Sequence, residues 1–465
     1  VPRRRTKDVV ILIPGLTGSV LRRDGRELWG PSAAALLGAV LSGGQRLRPL
    51  VLRDDPVDRD DLGDGVVASR VFPDVHLIPG LWKIDGYTKV AATLRSGLGL
   101  APGRNYFELP YDWRRDVRVA ARQLAGRAHA WLARWREASG AADARLVLVA
   151  HSMGGLVARA FLELHDGWRW TRALVAFGTP FRGAPRALGA LVNGVRQGPA
   201  GLVELTEIAR SCTSVYQLVP FYPVVDRGAG PLVRAAEAGL PGLDRERLAR
   251  GQALHDEIRR AVESHRRSSA YRERGYDVFP VVGVGQATPQ SARLEGRRLE
   301  LIASYEGEDL SGDGTVPRVS ATPLERGGER REMYAGTCHA SLQSAGATLT
   351  HVVGMLGGFT VDLDAYRRAR TGLARVALEA GDVHRSGEPI VIRAKTDREG
   401  VRLRARVRRA AGGAPVARVV LERTVDGGQS ARIPPLPPGS YRVSVAGGRD
   451  VEPAEDVFVV SRSPR

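Results

Sequence analysis

Residues Leu146 to Arg159 read Leu-Val-Leu-Val-Ala-His-Ser-Met-Gly-Gly-Leu-Val-Ala-Arg. A short apolar, β-branched run breaks at Ser152 and resumes with helical character, which predicts a strand, a sharp turn and a helix. Such a corner pushes a serine hydroxyl out of the sheet and leaves the next amide, that of Met153, free to hold an oxyanion. It admits only small residues two positions either side. Here these are Ala150 and Gly154, so the pattern is Ala-x-Ser-x-Gly where Gly-x-Ser-x-Gly is usual. The competing reading, a turn serine in an inert domain, is weighed against the acid and base found downstream.

Upstream, Asp8 to Pro14 reads as a buried strand that ends in Pro14-Gly15-Leu16-Thr17-Gly18-Ser19. A Gly-rich loop after a first strand can lend an amide to an active site, and Leu16 N–H is the candidate second oxyanion donor. Residues 31 to 80 form a long excursion with an apolar helical piece at Ala33 to Leu41, open to lipid contact or to ordinary packing. Its end, Ile78-Pro79-Gly80-Leu81-Trp82, offers Leu81 and Trp82 as candidate substrate contacts. A helix at Gly86 to Leu98, a strand at Tyr106 to Leu109 and a helix running to Glu137 follow. Asp112 and Arg114, in the loop between the last two, are placed to form a buried pair that holds it.

Downstream, the strand Ala173 to Phe177 ends in Gly178-Thr179-Pro180-Phe181-Arg182-Gly183, where Phe181 is a further candidate substrate contact. From about 183 to 275 the chain is helical, irregular and broken by prolines, a pattern that predicts a cap over the site, with His255 and His265 on solvated helix faces. Then come a strand at Asp277 to Gly285, a hairpin strand at Arg298 to Ile302, and an acid in a glycine turn, Gly312-Asp313-Gly314-Thr315-Val316. A strand at Glu329 to Met333 leads to Gly336-Thr337-Cys338-His339-Ala340, and an apolar helix closes near Phe359.

This alternation predicts a mostly parallel doubly wound sheet, whose active site lies at the carboxyl ends of its strands. Ser152, Asp313 and His339 all fall there, in the order nucleophile, acid, histidine. His339 would take the serine proton and return it to the leaving group, and Asp313 would fix the imidazole tautomer. Asp309 lacks the flanking glycine turn, His351 sits inside the closing helix, and His151 braces the elbow.

From Asp362 the pattern changes to a short helix reaching about Leu378 and then to period-2 alternation at Pro389–Thr396, Val401–Arg408, Pro415–Arg423, Tyr441–Ala446 and Asp456–Ser461. Short alternating strands at even spacing predict a small β-sandwich. The expected organisation is therefore an α/β-hydrolase fold over residues 1–361, with the cap inserted at about 183–275, and an immunoglobulin-like β-sandwich over 380–465.

The chain has 465 residues and 43% hydrophobic content, enough for one large core and one small one. It has no apolar run of membrane-spanning length and no signal-like segment in the stretch given, which makes the cytoplasm the default expectation. Cys212 and Cys338 cannot form a disulfide framework; they could form one bridge at most, and two unpaired thiols are expected, with Cys338 a small buried residue and no metal site around it. The net charge is +18; four of the 69 basic residues are lysines, which leaves 65 arginines. That excess favours anionic surfaces such as phospholipid. Aromatic-basic interleaving, zinc spacing and a recognition helix are all missing from the sequence, so nucleic acid is not expected as a partner. The sequence carries no reading of oligomeric state.

Taken together, these blocks resemble the lecithin:cholesterol acyltransferase and lysosomal phospholipase family of α/β-hydrolases. The resemblance runs from Val9 to about Phe359 and rests on Ile13 to Ser19, Pro110-Tyr111-Asp112-Trp113-Arg114, Ala150 to Gly155, Gly178 to Gly183, Gly283-Val284-Gly285, Gly312 to Val316 and His339-Ala340. The Tyr-Asp-Trp-Arg block is the most specific of these. The resemblance implies acyl-ester chemistry on lipids through an acyl-serine at Ser152, with the oxyanion held by the amides of Leu16 and Met153 and no cofactor. The cysteines of the secreted animal members are absent, the cap diverges and the C-terminal sandwich has no counterpart there. The expected activity is a lipase or phospholipase-type hydrolase or O-acyltransferase. A non-lipid carboxylesterase, a protein or glycolipid deacylase, and a silent lipid-binding module are the alternatives.

Overall fold

In β1 (Val9–Ile13) every residue is buried, yet successive side chains enter different cores. Val9, Ile11 and Ile13 join one apolar cluster, and Val10 and Leu12 join another. The same division holds along β3 (Leu146–His151), where Leu146, Leu148 and Ala150 face the first cluster and Val147 and Val149 the second. A strand with apolar residues on both faces has to be covered on both, which is the condition for a parallel sheet between helical layers.

The computed structural model describes residues 6–461 apart from 33–34, 36–41, 75–85, 198–202, 229, 327–330, 360–373, 375, 382, 411–412, 426, 449 and 452. The chain divides into two compact units, Val1–Thr360 and Val361–Arg465. In the first, β2 (Tyr106–Glu108), β4 (Thr171–Phe177), β5 (Asp277–Gly283) and β6 (Met333–Ala335) complete a six-stranded sheet of order β2-β1-β3-β4-β5-β6. Every pairing in it is parallel. This is an α/β-hydrolase-like sheet.

Helices α1 (Thr88–Leu98) and α6 (Gly346–Gly358) supply Val90, Leu94, Leu349, Val352 and Leu356 to the second cluster. Helices α2 (Val117–Ser139), α3 (Gly154–Leu164) and α5 (Arg245–His265) supply the first, through Leu124, Leu132, Leu156, Val157, Leu254 and Ile258. Helix α2 is set by its ends: the Asp116 side chain accepts from Arg118 N, and Gly140 stops the helix at φ 69. Helix α4 (Pro185–Asn193) opens with proline at its first position, where no N–H is needed.

The segment from 183 to 275 is mainly helical, and its short strand Val225–Asp226 joins the hairpin Ser291–Glu295 and Arg298–Ile302 in a separate small sheet. The strand expected at Glu329 to Met333 lies later, at Met333–Ala335, beside residues 327–330 that are outside the described set. Nearly all of the expected helix at Ala33 to Leu41 is also outside it. Among the described residues no helix is long and apolar enough to cross a membrane.

The second unit is built from two sheets. One orders Val376–Glu379, Ile390–Thr396, Gln429–Ile433 and Glu422–Arg423; the other orders Val383–Arg385, Ala454–Ser461, Gly439–Ala446, Arg404–Arg409 and Ala417–Val420. Pairing is antiparallel except between Val383–Arg385 and Ala454–Ser461. Ile390, Ile392, Val407, Ile433, Tyr441, Val443 and Phe458 close one core. Most of the expected helix from Asp362 to about Leu378 lies outside the described residues; its end is corrected, since Val376–Glu379 is a strand that pairs with Ile390–Thr396 and its alternate burial suits a sheet edge.

Candidate active site

Ser152 follows β3 with φ 52, the left-handed region that a non-glycine residue enters only when its surroundings hold it there. Its N–H donates to Phe177 O at 2.8 Å, which fastens the corner to the end of β4. The small-residue requirement has a visible cause: a methyl group at Gly154 would lie 2.5 Å from Pro14 O and 2.6 Å from Ile13 O. Helix α3 therefore begins directly against the end of β1.

The structure brings Ser152, His339 and Asp313 together. His339 Nε2 lies 2.8 Å from Ser152 Oγ, and His339 Nδ1 lies 2.7 Å from Asp313 Oδ2. The other carboxylate oxygen of Asp313 accepts from Thr315 N at 2.9 Å and Val316 N at 2.7 Å. Asp313 is buried, and burial opposes its charge, but His339 and those two amides outweigh burial and hold the carboxyl below its usual range. An ionised acid on Nδ1 leaves Nε2 as the nitrogen facing the hydroxyl. Gly283 at the end of β5 lets Asp313 approach, since a methyl there would overlap Asp313 Cβ. The His339 N–H donates to Asp313 O at 2.8 Å, so the two loops are also joined through backbone.

The loop after β1 is held from three sides. Tyr111 Oη donates to Pro14 O at 2.8 Å, and Gly15 N donates to Tyr87 Oη at 2.8 Å. Tyr87 Oη lies 2.9 Å from His151 Nδ1, and His151 Nε2 lies 3.1 Å from His339 O. A carbonyl can only accept, so His151 carries its proton on Nε2 and takes the tyrosine proton as an acceptor on Nδ1. Burial, with a further contribution from His339, drives the His151 pKa down to about 3, and the ring stays neutral. Gly15 also abuts Ser152, where a methyl would come 2.8 Å from Ser152 Cβ. Leu16 and Met153 follow Gly15 and Ser152 in the chain; Leu16 is half-buried and Met153 buried.

The loop Pro110 to Arg115 carries a charged clamp. The fully buried Arg114 donates to both oxygens of Asp112 and, at 2.9 Å, to Asp64 Oδ2. Arg115 reaches Asp55 at 2.9 Å. Trp113 O accepts from Ser214 Oγ at 2.6 Å, and Val117 N donates to Gln217 Oε1 at 2.9 Å. The block thus ties the excursion before residue 65 to the cap segment.

Phe181 is buried and borders a cavity of about 630 Å³ between α3 and α5 that neither Ser152 nor His339 lines. Leu81 and Trp82 lie outside the described residues. Three expectations are corrected. His255 is not solvated but bonded through Nε2 to Gln217 O at 2.8 Å, and His265 meets the buried Glu163 at 2.9 Å, because helix α5 packs those faces onto the domain. Cys338 is exposed, since its loop runs along the surface; Cys212 is the buried thiol, pushed up to about 12 by burial. Both cysteines are free. The rival Asp309 accepts from Ser311 N at 2.8 Å, and the rival His351 is exposed on α6. Tyr111 was quoted from sequence within the Tyr-Asp-Trp-Arg block without its bond to Pro14 O, and Tyr87 was not singled out, since one hydroxyl near a helix start carries no signature that would find it. Among the described residues no group of three or more His, Cys, Asp or Glu is placed to hold a metal.

Residues 80–234, with the Tyr111 to Arg114 block and the Ser152 corner inside them, match the family described as lecithin:cholesterol acyltransferase. Over this segment the chain is similar to that family. The lecithin:cholesterol acyltransferase match stops short of Asp313 and His339. An uncharacterised protein of Saccharomyces cerevisiae is 26% identical over 184 residues, which cover 39% of this chain and 24% of the yeast protein. The chain therefore spans about a quarter of that relative's length. The Bacillus licheniformis lipase BlEst2 in its propeptide form aligns over 99% of this chain and 75% of its own, with 13% identity and a TM-score of 0.32. CopC from Methylosinus trichosporium aligns with 20% of this chain and 97% of its own at 13% identity and a TM-score of 0.16. Both scores lie below those of a shared fold.

Proposed function

We propose that the protein is a serine acyl hydrolase or acyltransferase acting on lipid esters through an acyl-serine at Ser152. The observation that carries the reading is the continuous relay from Ser152 Oγ through His339 to Asp313 at 2.8 and 2.7 Å. His339 Nε2 takes the hydroxyl proton as Ser152 Oγ attacks the ester carbonyl, and Asp313 stabilises the imidazolium that results. The negative charge formed on the carbonyl oxygen goes to the amides of Met153 and Leu16. Collapse expels the alcohol, which receives the proton from His339, and leaves the acyl group on Ser152. Water or a second alcohol then repeats the sequence in reverse.

Lipid esters are proposed as substrates because the family match implies them. Phe181, Leu81 and Trp82 are proposed to border the acyl chain. The test is incubation with phospholipid and neutral glyceride vesicles followed by analysis of the lipid extract, with and without added long-chain alcohol. Fatty acid or new ester from the native protein, and neither from Ser152→Ala, is the expected result. Turnover confined to short water-soluble esters would reject lipid as the substrate class.

A further inference from the structure

The cavity between α3 and α5 carries donors without acceptors. Arg182 and Gln252 both line it, and Arg182 Nε and Gln252 Nε2 are shielded from solvent with no hydrogen-bond partner among the described residues. An unmade bond at a buried donor is destabilising, more so where the group is charged, so two at one cavity call for an acceptor. Arg182 is held in place by Val319 O, at 3.2 Å from its Nη1, and by stacking 4.9 Å from the Tyr222 ring centroid. Its Nε edge is therefore fixed rather than free to turn to water.

The charges around the same cavity divide in a consistent way. Asp256 and Glu263 are answered by Arg259, and Glu325 by Arg159, which also faces the buried Glu163. Arg182, Arg234 and Arg266, which line the cavity with Gln252, make no ion pair among the described residues, although Arg266 donates to the Glu325 carbonyl. Five arginines (Arg159, Arg182, Arg234, Arg259 and Arg266) stand against three acids (Asp256, Glu263 and Glu325) in the lining, and the fork geometry of arginine suits the tetrahedral oxygens of a phosphate.

We infer that this cavity is a binding site for a phosphate group, held by Arg182 and Gln252 in its wall and by Arg234 and Arg266. Phe181, Phe221 and Leu324 give it an apolar side as well. The phosphate could belong to a lipid head group or be free in solution, and the site requires neither the serine relay nor turnover.

Thermal unfolding of full-length Ser152→Ala, which removes turnover, tests the site separately from the proposed activity. Inorganic phosphate is titrated against chloride at equal ionic strength, and dihexanoyl phosphatidylglycerol against dihexanoylglycerol. The expected result is a saturable rise in Tm with phosphate or the phospholipid beyond its control. Tighter binding of the phospholipid than of phosphate identifies a lipid head group, and the reverse identifies free phosphate. Arg182→Gln and Gln252→Leu should each weaken the effect about tenfold or more. Gln252→Leu removes an unpartnered donor, so it should fold at least as well as its parent and keeps the test valid should Arg182→Gln not fold. No shift beyond the controls, or a shift unchanged in both variants, overturns the assignment.

Discussion

His151 and Asp313 sit in the same shell and stand in opposite relation to charge. Burial keeps His151 neutral down to about pH 3, whereas its unfolded form titrates near 6.5. Between those values the unfolded chain binds a proton that the folded one refuses, so stability falls as pH drops from about 6.5 to 3. Asp313 acts in the same direction. Its lowered pKa contributes stability above the ordinary carboxyl range that is lost as pH falls through the folded value. His151→Gln is expected to flatten the acid limb by up to about 1.4 kcal/mol per pH unit, read from urea unfolding at a series of pH values. An unchanged slope would remove His151 as a source of acid sensitivity. Tyr87→Phe leaves the Gly15 amide and His151 Nδ1 unanswered, and should cost about 1–3 kcal/mol of stability and lower kcat more than KM. Ser152, Asp313 and His339 were legible in the sequence because each sits at a strand end or in a glycine turn that announces itself locally. Tyr87 was not, because no glycine turn or strand end marks it and its partner, 64 positions away, carries no local sign of the contact. His265 was misread for the same reason, its partner Glu163 lying 102 positions off.

At the level of elements, the loop Pro110 to Arg115 joins the excursion before residue 65, the cap segment and the loop after β1. Arg114 is wholly buried and gives its hydrogen bonds to Asp112 and Asp64. Replacing one partner of a buried pair strands the other, so Arg114→Leu should cost about 3–5 kcal/mol, measured as the shift in urea midpoint. A cost below about 1 kcal/mol would mean that the clamp is solvated in solution. The sheet strands were legible because two-sided burial leaves continuous apolar runs such as Val9 to Ile13. The strand Gln429–Ile433 was missed because Gln429 and Arg432 break its apolar pattern, and Val376–Glu379 was assigned to a helix because four residues hold too little periodicity to separate the two.

For the molecule as a whole, the net charge of +18 is a property of the surface as much as of composition. Long-range attraction to anionic bilayers should follow from it and should be screened by salt. Sedimentation with phosphatidylglycerol vesicles is expected to fall steeply between about 0.05 and 0.5 M salt, where the screening length drops from more than 10 Å to less than 8 Å. Binding that ignores salt, or that is equal on neutral vesicles, would assign membrane contact to apolar side chains instead. The reading of acyl transfer rests on one reactive oxygen, and it can be probed without knowing the lipid. The native protein should be treated with a fluorophosphonate and digested, and the adduct located by mass spectrometry. One adduct on Ser152, lost in His339→Ala while the fold persists, is the expected result. A folded protein that takes no label, or takes it on a different serine, would contradict the assignment.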